Sequence, residues 1–283
     1  MIDELWLKEL NIFLQNEWLR IFSMKSAWQE KYRCIGFESH ERVLKVKFSR
    51  PEQLNAVNAR LHTEMSWLFR DISDSSTCDV VVITGDGKAF SAGGDINWFS
   101  SITPEEVDSL FLEARRIIVD MLEVPQPIIA AINGPAVGLG ATLALFCDIT
   151  YMGRSAVIAD THVLAGIAAG DGGAAIWPAL VGMHRAKEYL LTGQKVDAAT
   201  AFQIGLVNHV VDDDVLLDSA MAMANRLASG AQMAIRATKA SLNKSLRDTV
   251  NLNLDTSLAM EKACFFSPEH RERIDHFLKG NRA

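Results

Sequence analysis

The sequence lacks the features of a membrane protein or a secreted protein. No apolar run approaches the roughly 18–20 residues that cross a bilayer. The N-terminus has no basic region followed by an uninterrupted apolar core and a small-residue cleavage site. Four cysteines are scattered without a CxxC pair, a spacing that fits reduced thiols better than disulfides or a zinc site. We therefore expect a cytoplasmic protein with no membrane partner.

Basic stripes, phosphate-binding loops and metal motifs are also missing. The net charge of −7 is spread over 283 residues, so nucleic acid is not an expected partner. Neither GxGxxG nor GxxxxGK[ST] occurs, and the seven histidines show no HExxH spacing. The sequence therefore predicts neither a phosphate cradle nor a metal site.

Apolar residues are plentiful, at 49% of the chain, which is enough for a sizeable core. Residues 1–31 carry them at the three-to-four spacing of an amphipathic helix. We interpret this segment as an N-terminal helical extension, either a docking helix or an over-long gene start with Met24 as the initiator. A core at 32–212 and a C-terminal helical region at 213–283 complete the expected organisation.

Strand and helix patterns alternate from Tyr32 onward. The sequence predicts a hairpin from CIGFE and RVLKVKF, buried strands at DVVVITG and PIIAAI, and shorter strands at DITYM, AVIA and GLVNHVV. Helices are predicted from about Asn58 to Ile72, from Pro104 to about Glu123 and over ATLALFC, with mostly helical structure after AGDGG. Strand–helix units followed by a helical final third predict an α/β core with a helical cap.

Two glycine-rich loops each leave the end of a predicted buried strand. The first is FSAGGDI at 90–96, and the second is NGPAVGLG at 133–140. The second loop opens a helix, where unpaired N–H groups and the helix dipole favour negative charge. A glycine-rich loop by itself more often marks only a tight turn.

Four separated blocks in register carry a resemblance to a known family. RPEQLNAVN, VVITGDGKAFSAGGDI, PIIAAINGPAVGLGATLALFCDI and VGMHRAKEYLLTGQKVDAATAFQIGLVN resemble the crotonase (enoyl-CoA hydratase/isomerase) superfamily over residues 32–280. The resemblance implies a spiral of repeated ββα units with C-terminal helices that cover the site and build a homotrimer or a dimer of trimers. It also implies an acyl-CoA substrate, with coenzyme A entering as part of that substrate and no separate cofactor.

The resemblance also assigns site residues by position. It implies an oxyanion hole formed by the backbone N–H groups of Gly94 and Leu139, which would stabilise the negative charge on an enolate oxygen. Further positions are implied at the substrate pocket and at the coenzyme A site, and these are Thr142, Trp98 and Gly138 for the pocket and Arg50, Lys88 and Ala92 for coenzyme A. For Trp98, core packing is the simpler interpretation, and for Arg50 and Lys88 it is solvated surface charge.

The chain departs from the hydratase pattern where two glutamates are expected. Thr142 and His162 stand at those positions. His162, Asp171 and Glu261 resemble instead the trio of the 6-oxocamphor-hydrolase type of member, which cleaves C–C bonds in cyclic β-diketones. An imidazole oriented by a carboxylate is a common general base, so we expect His162 to act with Asp171. The simpler interpretations are a core histidine, an aspartate helix cap and a glutamate on an exposed helix face.

These residues leave three functions open. We expect a nonstandard enoyl-CoA hydratase/isomerase that forms an enolate from an acyl-CoA thioester. The alternatives are a C–C bond hydrolase of a β-diketone and a non-catalytic homologue that binds coenzyme A. The other histidines are assigned to surfaces and turns, with His40 in the hairpin turn, His62 on a polar helix face and His184, His209, His270 and His276 at the surface.

Overall fold

The computed structural model describes residues 27–280, so the predicted amphipathic helix lies almost wholly outside the described residues. The main sheet has six strands in the order β1-β2-β3-β4-β6-β9. These strands are β1 (Ile35–His40), β2 (Val43–Phe48), β3 (Val80–Gly85), β4 (Ile128–Ile132), β6 (Ile149–Gly153) and β9 (His209–Val211). The first two form the predicted antiparallel hairpin, and the others extend the sheet in parallel.

A second, smaller sheet has three short strands in the order β5-β7-β8. They are β5 (Ala136–Val137), β7 (Val157–Ala159) and β8 (Val196–Asp197). The first pair is parallel and the second is antiparallel. This sheet joins the second glycine-rich loop to the segment that follows β6, and it therefore holds together two parts of the site described below.

Ten α-helices complete the described part of the chain. They are α1 (Ala59–Ser73), α2 (Ile96–Ser101), α3 (Pro104–Glu123), α4 (Leu139–Phe146), α5 (Gly173–Val181), α6 (Met183–Thr192), α7 (Ala198–Gln203), α8 (Leu216–Ala228), α9 (Gln232–Phe265) and α10 (Pro268–Gly280). The predicted start of α3 is confirmed, because Thr103 and Glu106 form a reciprocal capping box just ahead of the acidic first turn. Between residues 27 and 280, no helix combines the length and apolar character that a membrane crossing requires.

The main sheet is buried on both faces, which explains its continuous apolar strands. Along β3, Val81 and Ile83 join the large core that includes α1 and α3. Val80 and Val82 point to the opposite face and pack against α8 through residues such as Ala220. The predicted α/β fold with a C-terminal helical region is confirmed.

Candidate active site

The two glycine-rich loops lie side by side and are hydrogen-bonded to each other. Ser91 and Ala136 form an isolated parallel bridge. Ser91 donates its N–H to the Pro135 carbonyl at 3.1 Å, and Val137 donates to the Ser91 carbonyl at 2.9 Å. The loops predicted from separate stretches of sequence are therefore one structural unit.

Glycine is needed where the loops approach most closely. Gly93 has φ +83°, and a Cβ placed on it would lie 2.8 Å from the Val137 carbonyl oxygen. Gly138 also has a positive φ of +53° and precedes the first residue of α4. Both positions have a positive φ that glycine adopts without strain, and Gly93 also has no room for a Cβ.

Two backbone donors are left free by this arrangement. Within residues 27–280, neither the Gly94 N–H nor the Leu139 N–H donates to a protein acceptor. Leu139 is the first residue of α4, where a helix has no internal acceptor for its N–H. Both residues line the same cavity, so together they can bind an oxygen atom that carries negative charge.

Four titratable side chains meet at one side of this cavity. His162 Nδ1 lies 2.7 Å from Asp160 Oδ1, and its Nε2 lies 3.3 Å from Asp171 Oδ2 and 4.0 Å from Glu261 Oε1. The Thr142 hydroxyl donates to Asp171 Oδ1 at 2.9 Å. The imidazole is therefore held between carboxylates on both ring nitrogens.

Three different parts of the fold position these side chains. Asp160 directly follows β7, and His162 opens the 3₁₀ turn His162–Ala165. Asp171 precedes α5, whose N-cap is Gly172 and not the aspartate itself. Glu261 comes from α9, which lies so close to the Asp171 loop that a Cβ on Gly170 would sit 2.5 Å from the Ser257 carbonyl.

The surrounding charges favour a protonated His162. Burial, the largest influence, lowers its pKa, but the charges and hydrogen bonds of Asp160 and Asp171 outweigh burial. The pKa of His162 is therefore raised well above its ordinary value of 6.5.

The pKa values of Asp171 and Glu261 are shifted in opposite directions although both side chains are buried. Burial raises the pKa of Asp171, but the charge of His162 and hydrogen bonds from His162, Thr142 and the Gly173 N–H bring the pKa below its ordinary 3.8. Burial dominates at Glu261 and raises its pKa well above 4.5. The surroundings therefore favour the carboxylate form of Asp171 and the neutral acid form of Glu261 on the same side of one imidazole, a pairing that suits acid–base chemistry.

Asp160, His162 and Asp171 also lie close enough together to be considered as a metal site. The two carboxylates, however, contact opposite nitrogens of the ring. One ion could not bind a ring nitrogen together with both carboxylates without displacing one of these contacts. The arrangement favours proton transfer over metal binding.

The cavity in front of these groups has a volume of about 230 Å³. It brings together most of the site residues predicted from the sequence, namely Ala92, Gly94, Trp98, Gly138, Leu139, His162, Asp171 and Glu261. Its wall is otherwise largely apolar, with side chains including Ile96, Phe99, Leu110, Ile167, Phe265 and Phe277. Thr142 does not line the cavity and reaches the site through Asp171.

The two predicted coenzyme A cations lie outside this cavity. The Arg50 guanidinium contacts the Ala56 carbonyl and, at 3.2 Å, Asp95. The Arg50 side chain is only 14% exposed, so the interpretation of Arg50 as a solvated surface charge is wrong. Lys88 is exposed and stands two residues before the first glycine-rich loop.

Sequence reasoning overlooked Asp160 and misplaced two histidines. Asp160 stands two residues before His162, and that spacing was the available signal. His62 and His270 are 3% and 4% exposed, so the predicted surface positions are wrong for both. Glu261 is 4% exposed, so the interpretation of Glu261 as a residue on an exposed helix face is wrong.

Comparison with known proteins places this chain in a family. The profile described as enoyl-CoA hydratase/isomerase matches residues 38–282. A short-chain-enoyl-CoA hydratase from Clostridium acetobutylicum is 32% identical over 250 residues, covering 87% of this chain and 94% of the relative.

Solved structures agree with this comparison. An enoyl-CoA hydratase/isomerase from Mycobacterium paratuberculosis superposes with a TM-score of 0.84 at 36% identity, covering 86% of this chain and 98% of that one. A beta-diketone hydrolase from the cyanobacterium Anabaena superposes with a TM-score of 0.78 at 28% identity, covering 85% and 97%. This chain therefore belongs to the enoyl-CoA hydratase/isomerase family of the crotonase superfamily and is an enzyme of that family.

Proposed function

We propose that the enzyme converts an acyl-CoA thioester through an enolate, in a hydratase/isomerase-type reaction that uses no pair of hydratase glutamates. The observation that carries the proposal is the cavity where two free backbone N–H groups face the same space as His162, Asp171 and Glu261. A thioester oxygen bound by Gly94 and Leu139 would gain charge as the enolate forms. Donors fixed in advance stabilise that change at no cost of reorganisation.

The proton transfers would be shared between one group whose pKa is lowered and one whose pKa is raised. Asp171, whose pKa is lowered, is the proposed proton acceptor, and Glu261, whose pKa is raised, is the proposed donor. His162 Nε2 lies 3.3 Å from Asp171 and 4.0 Å from Glu261, so after Glu261 has given its proton to the substrate, the imidazolium would return one to Glu261 and then take up the proton that Asp171 accepted. Asp160 would hold the ring in place through Nδ1. In this proposal the acid and base that hydratases obtain from two glutamates come from other side chains.

Coenzyme A would approach along the first glycine-rich loop. Ala92 lines the cavity, and the exposed Lys88 stands four residues earlier, just ahead of this loop. Lys88 is the proposed contact for a phosphate of coenzyme A. Arg50 could join only by exchanging Asp95 for the ligand.

A C–C bond hydrolase of a β-diketone is the second candidate. Its support is the trio His162, Asp171 and Glu261 in one cavity, together with the likeness to the beta-diketone hydrolase from Anabaena. Such a reaction needs the same stabilised enolate and one activated water. It does not need a site for coenzyme A.

Calorimetry with acetoacetyl-CoA, free coenzyme A and a cyclic 1,3-diketone separates the two candidates. We expect the thioester to bind most tightly, because its enolised form carries the charge that the two N–H groups would hold. Binding of the diketone without the thioester would overturn the acyl-CoA proposal in favour of the hydrolase.

Turnover of a 2-enoyl-CoA, followed by loss of the conjugated thioester absorbance, tests the role of His162. We expect His162→Ala to lower kcat at least about a hundredfold, the usual scale of general acid–base catalysis. His184→Ala, at an exposed helix position, is the matched control and should leave kcat unchanged. Equal kcat for both variants would remove His162 from the mechanism.

A further inference from the structure

A second histidine lines the cavity, away from the group formed by His162 and its carboxylates. His62 lies on α1, is 3% exposed and places Nδ1 2.7 Å from Glu113 Oε2 on α3. In the tautomer with its proton on Nδ1, the ring donates this bond to the Glu113 carboxyl oxygen. Nε2 is then the ring atom left for another partner, and the described residues supply none.

The cavity wall around His62 is apolar, so packing alone does not explain a polar ring at this position. Ile96, Phe99, Leu110 and Ala114 line the same cavity. Packing alone would be served by another apolar side chain, since burying an imidazole and a carboxylate costs free energy unless both are satisfied. The proton transfers of the proposed reaction are already assigned to other groups. The His62–Glu113 pair is therefore available for binding.

The Trp98 indole belongs to the same part of the wall. Its ring centroid lies 5.8 Å from that of His62. Its Nε1–H is buried, with no acceptor among residues 27–280. Two neighbouring rings thus each have a polar nitrogen without a partner in the described part of the chain. A ligand oxygen in the cavity would provide one for His62.

We propose that His62 is a specificity-determining residue that binds a hydroxyl group on the acyl part of the substrate. A hydroxyl fits both states of the ring, since it can donate to a neutral Nε2 and accept from a protonated one. A carbonyl can only accept, so it would be bound only by the protonated ring. This inference rests on the acyl-CoA function proposed above and adds the class of acyl group.

The test uses acyl-CoA substrates matched in chain length. The kcat/KM is measured for a plain 2-enoyl-CoA and for the same chains carrying a terminal hydroxyl or a terminal keto group, with chain lengths of about four to eight carbons. We expect the unmodified enzyme to prefer the hydroxylated substrate about tenfold or more at the best chain length, mainly through a lower KM. In His62→Leu we expect that ratio to fall to near one.

His40→Leu is the matched control, because His40 is an exposed histidine in the β1–β2 hairpin and its loss should leave the ratio unchanged. His62→Phe, which keeps a planar ring, replaces the leucine variant if that variant does not fold. A ratio that is the same in the unmodified enzyme and in the His62 variants would overturn the inference while leaving the acyl-CoA function intact.

Failure of the proposed function gives a different result. If no acyl-CoA is turned over, calorimetry is repeated in the same proteins with cyclic 1,3-diketones that carry or lack a hydroxyl. A preference for the hydroxylated diketone that His62→Leu removes would support the role of His62 on the other substrate. The absence of such a preference would overturn the inference as well.

Discussion

His162 is flanked by two carboxylates that it contacts in different ways. The shorter contact, 2.7 Å from Nδ1, is to Asp160, and the contact from Nε2 to Asp171 is 3.3 Å. Asp160 is fully buried and lies two residues away on the same segment. The orienting role that the sequence suggested for Asp171 therefore suits Asp160 better, and Asp171 stays available on the cavity side.

Asp160→Asn tests this positioning role. The change keeps the shape of the side chain and removes a charge that raises the pKa of His162. We expect that pKa to fall, so the limb of the pH profile of kcat/KM that His162 controls should move to lower pH. The maximal rate should fall about ten- to a hundredfold.

An NMR titration of the His162 ring provides the second readout of Asp160→Asn. Asp212→Asn, at an exposed carboxylate paired with Arg154, serves as the control. A lowered rate together with an unchanged pKa of the His162 ring would mean that Asp160 acts only on local structure.

Glu261→Gln is expected to change how stability depends on pH. The folded-state pKa of Glu261 is raised, so above the ordinary value of 4.5 the folded state holds a proton that the unfolded state has lost. Stability from this group therefore falls as pH rises, by about 1.4 kcal/mol per pH unit until the folded-state pKa is reached. Glutamine cannot titrate and removes that slope. Urea unfolding between about pH 5 and 8 should show the variant gaining stability relative to the unmodified enzyme, and parallel curves would contradict the raised pKa.

At the scale of elements, the contact between the two glycine-rich loops is the most sensitive feature. In Gly93→Ala the new Cβ would meet the Val137 carbonyl at 2.8 Å, in addition to the strain of a positive φ. The loops would have to separate, moving Gly94 away from Leu139. We expect kcat to fall at least about a hundredfold, the loss seen when one oxyanion donor is removed.

Gly205→Ala provides a matched control for the loop contact. Gly205 has a similar φ of +77°, but no atom lies within 4 Å of the point that an added Cβ would occupy. We expect this variant to lose about 1–2 kcal/mol of stability from backbone strain and to retain its kcat. Equal losses of kcat in the two variants would show that strain, and not the loop contact, is responsible.

The long elements were predictable from sequence because their patterns are strong. β3 and β4 are continuous apolar runs, and α3 opens with proline and acidic residues. The strands β5 and β8 were not predicted, since each has two residues and shows no periodicity. Their pairing with β7 depends on contacts between distant segments, which no local pattern encodes.

The candidate site was predictable only in part for a similar reason. The family resemblance assigned His162, Asp171 and Glu261 to the site by their positions in the sequence, and the structure brings them together. His62 looked like a polar surface residue because its helix neighbours are polar. Its burial depends on Glu113 of α3, fifty-one positions away, which supplies the partner that an imidazole needs inside a protein.

At the scale of the whole molecule, the exposed apolar residues of α9 bear on the homotrimer or dimer of trimers that the family resemblance implies. Four large side chains on this helix are between 61% and 89% exposed, namely Met233, Leu242, Leu252 and Met260. Apolar surface of this kind is commonly covered by another subunit. We expect light scattering to give about three or six times the chain mass of 31.2 kDa. A mass equal to one chain at micromolar concentration would contradict this expectation.

The position of Glu261 on α9 also bears on when the site forms during synthesis. The strands of both sheets, together with Asp160, His162 and Asp171, all precede α9 in the chain. A core that folds on the ribosome would therefore contain the imidazole and its two aspartates before Glu261, Phe265 and Phe277 have emerged. Glu261 and these two apolar side chains of the cavity wall enter the fold together, so under the proposed mechanism the site is complete only after the C-terminal helices have docked.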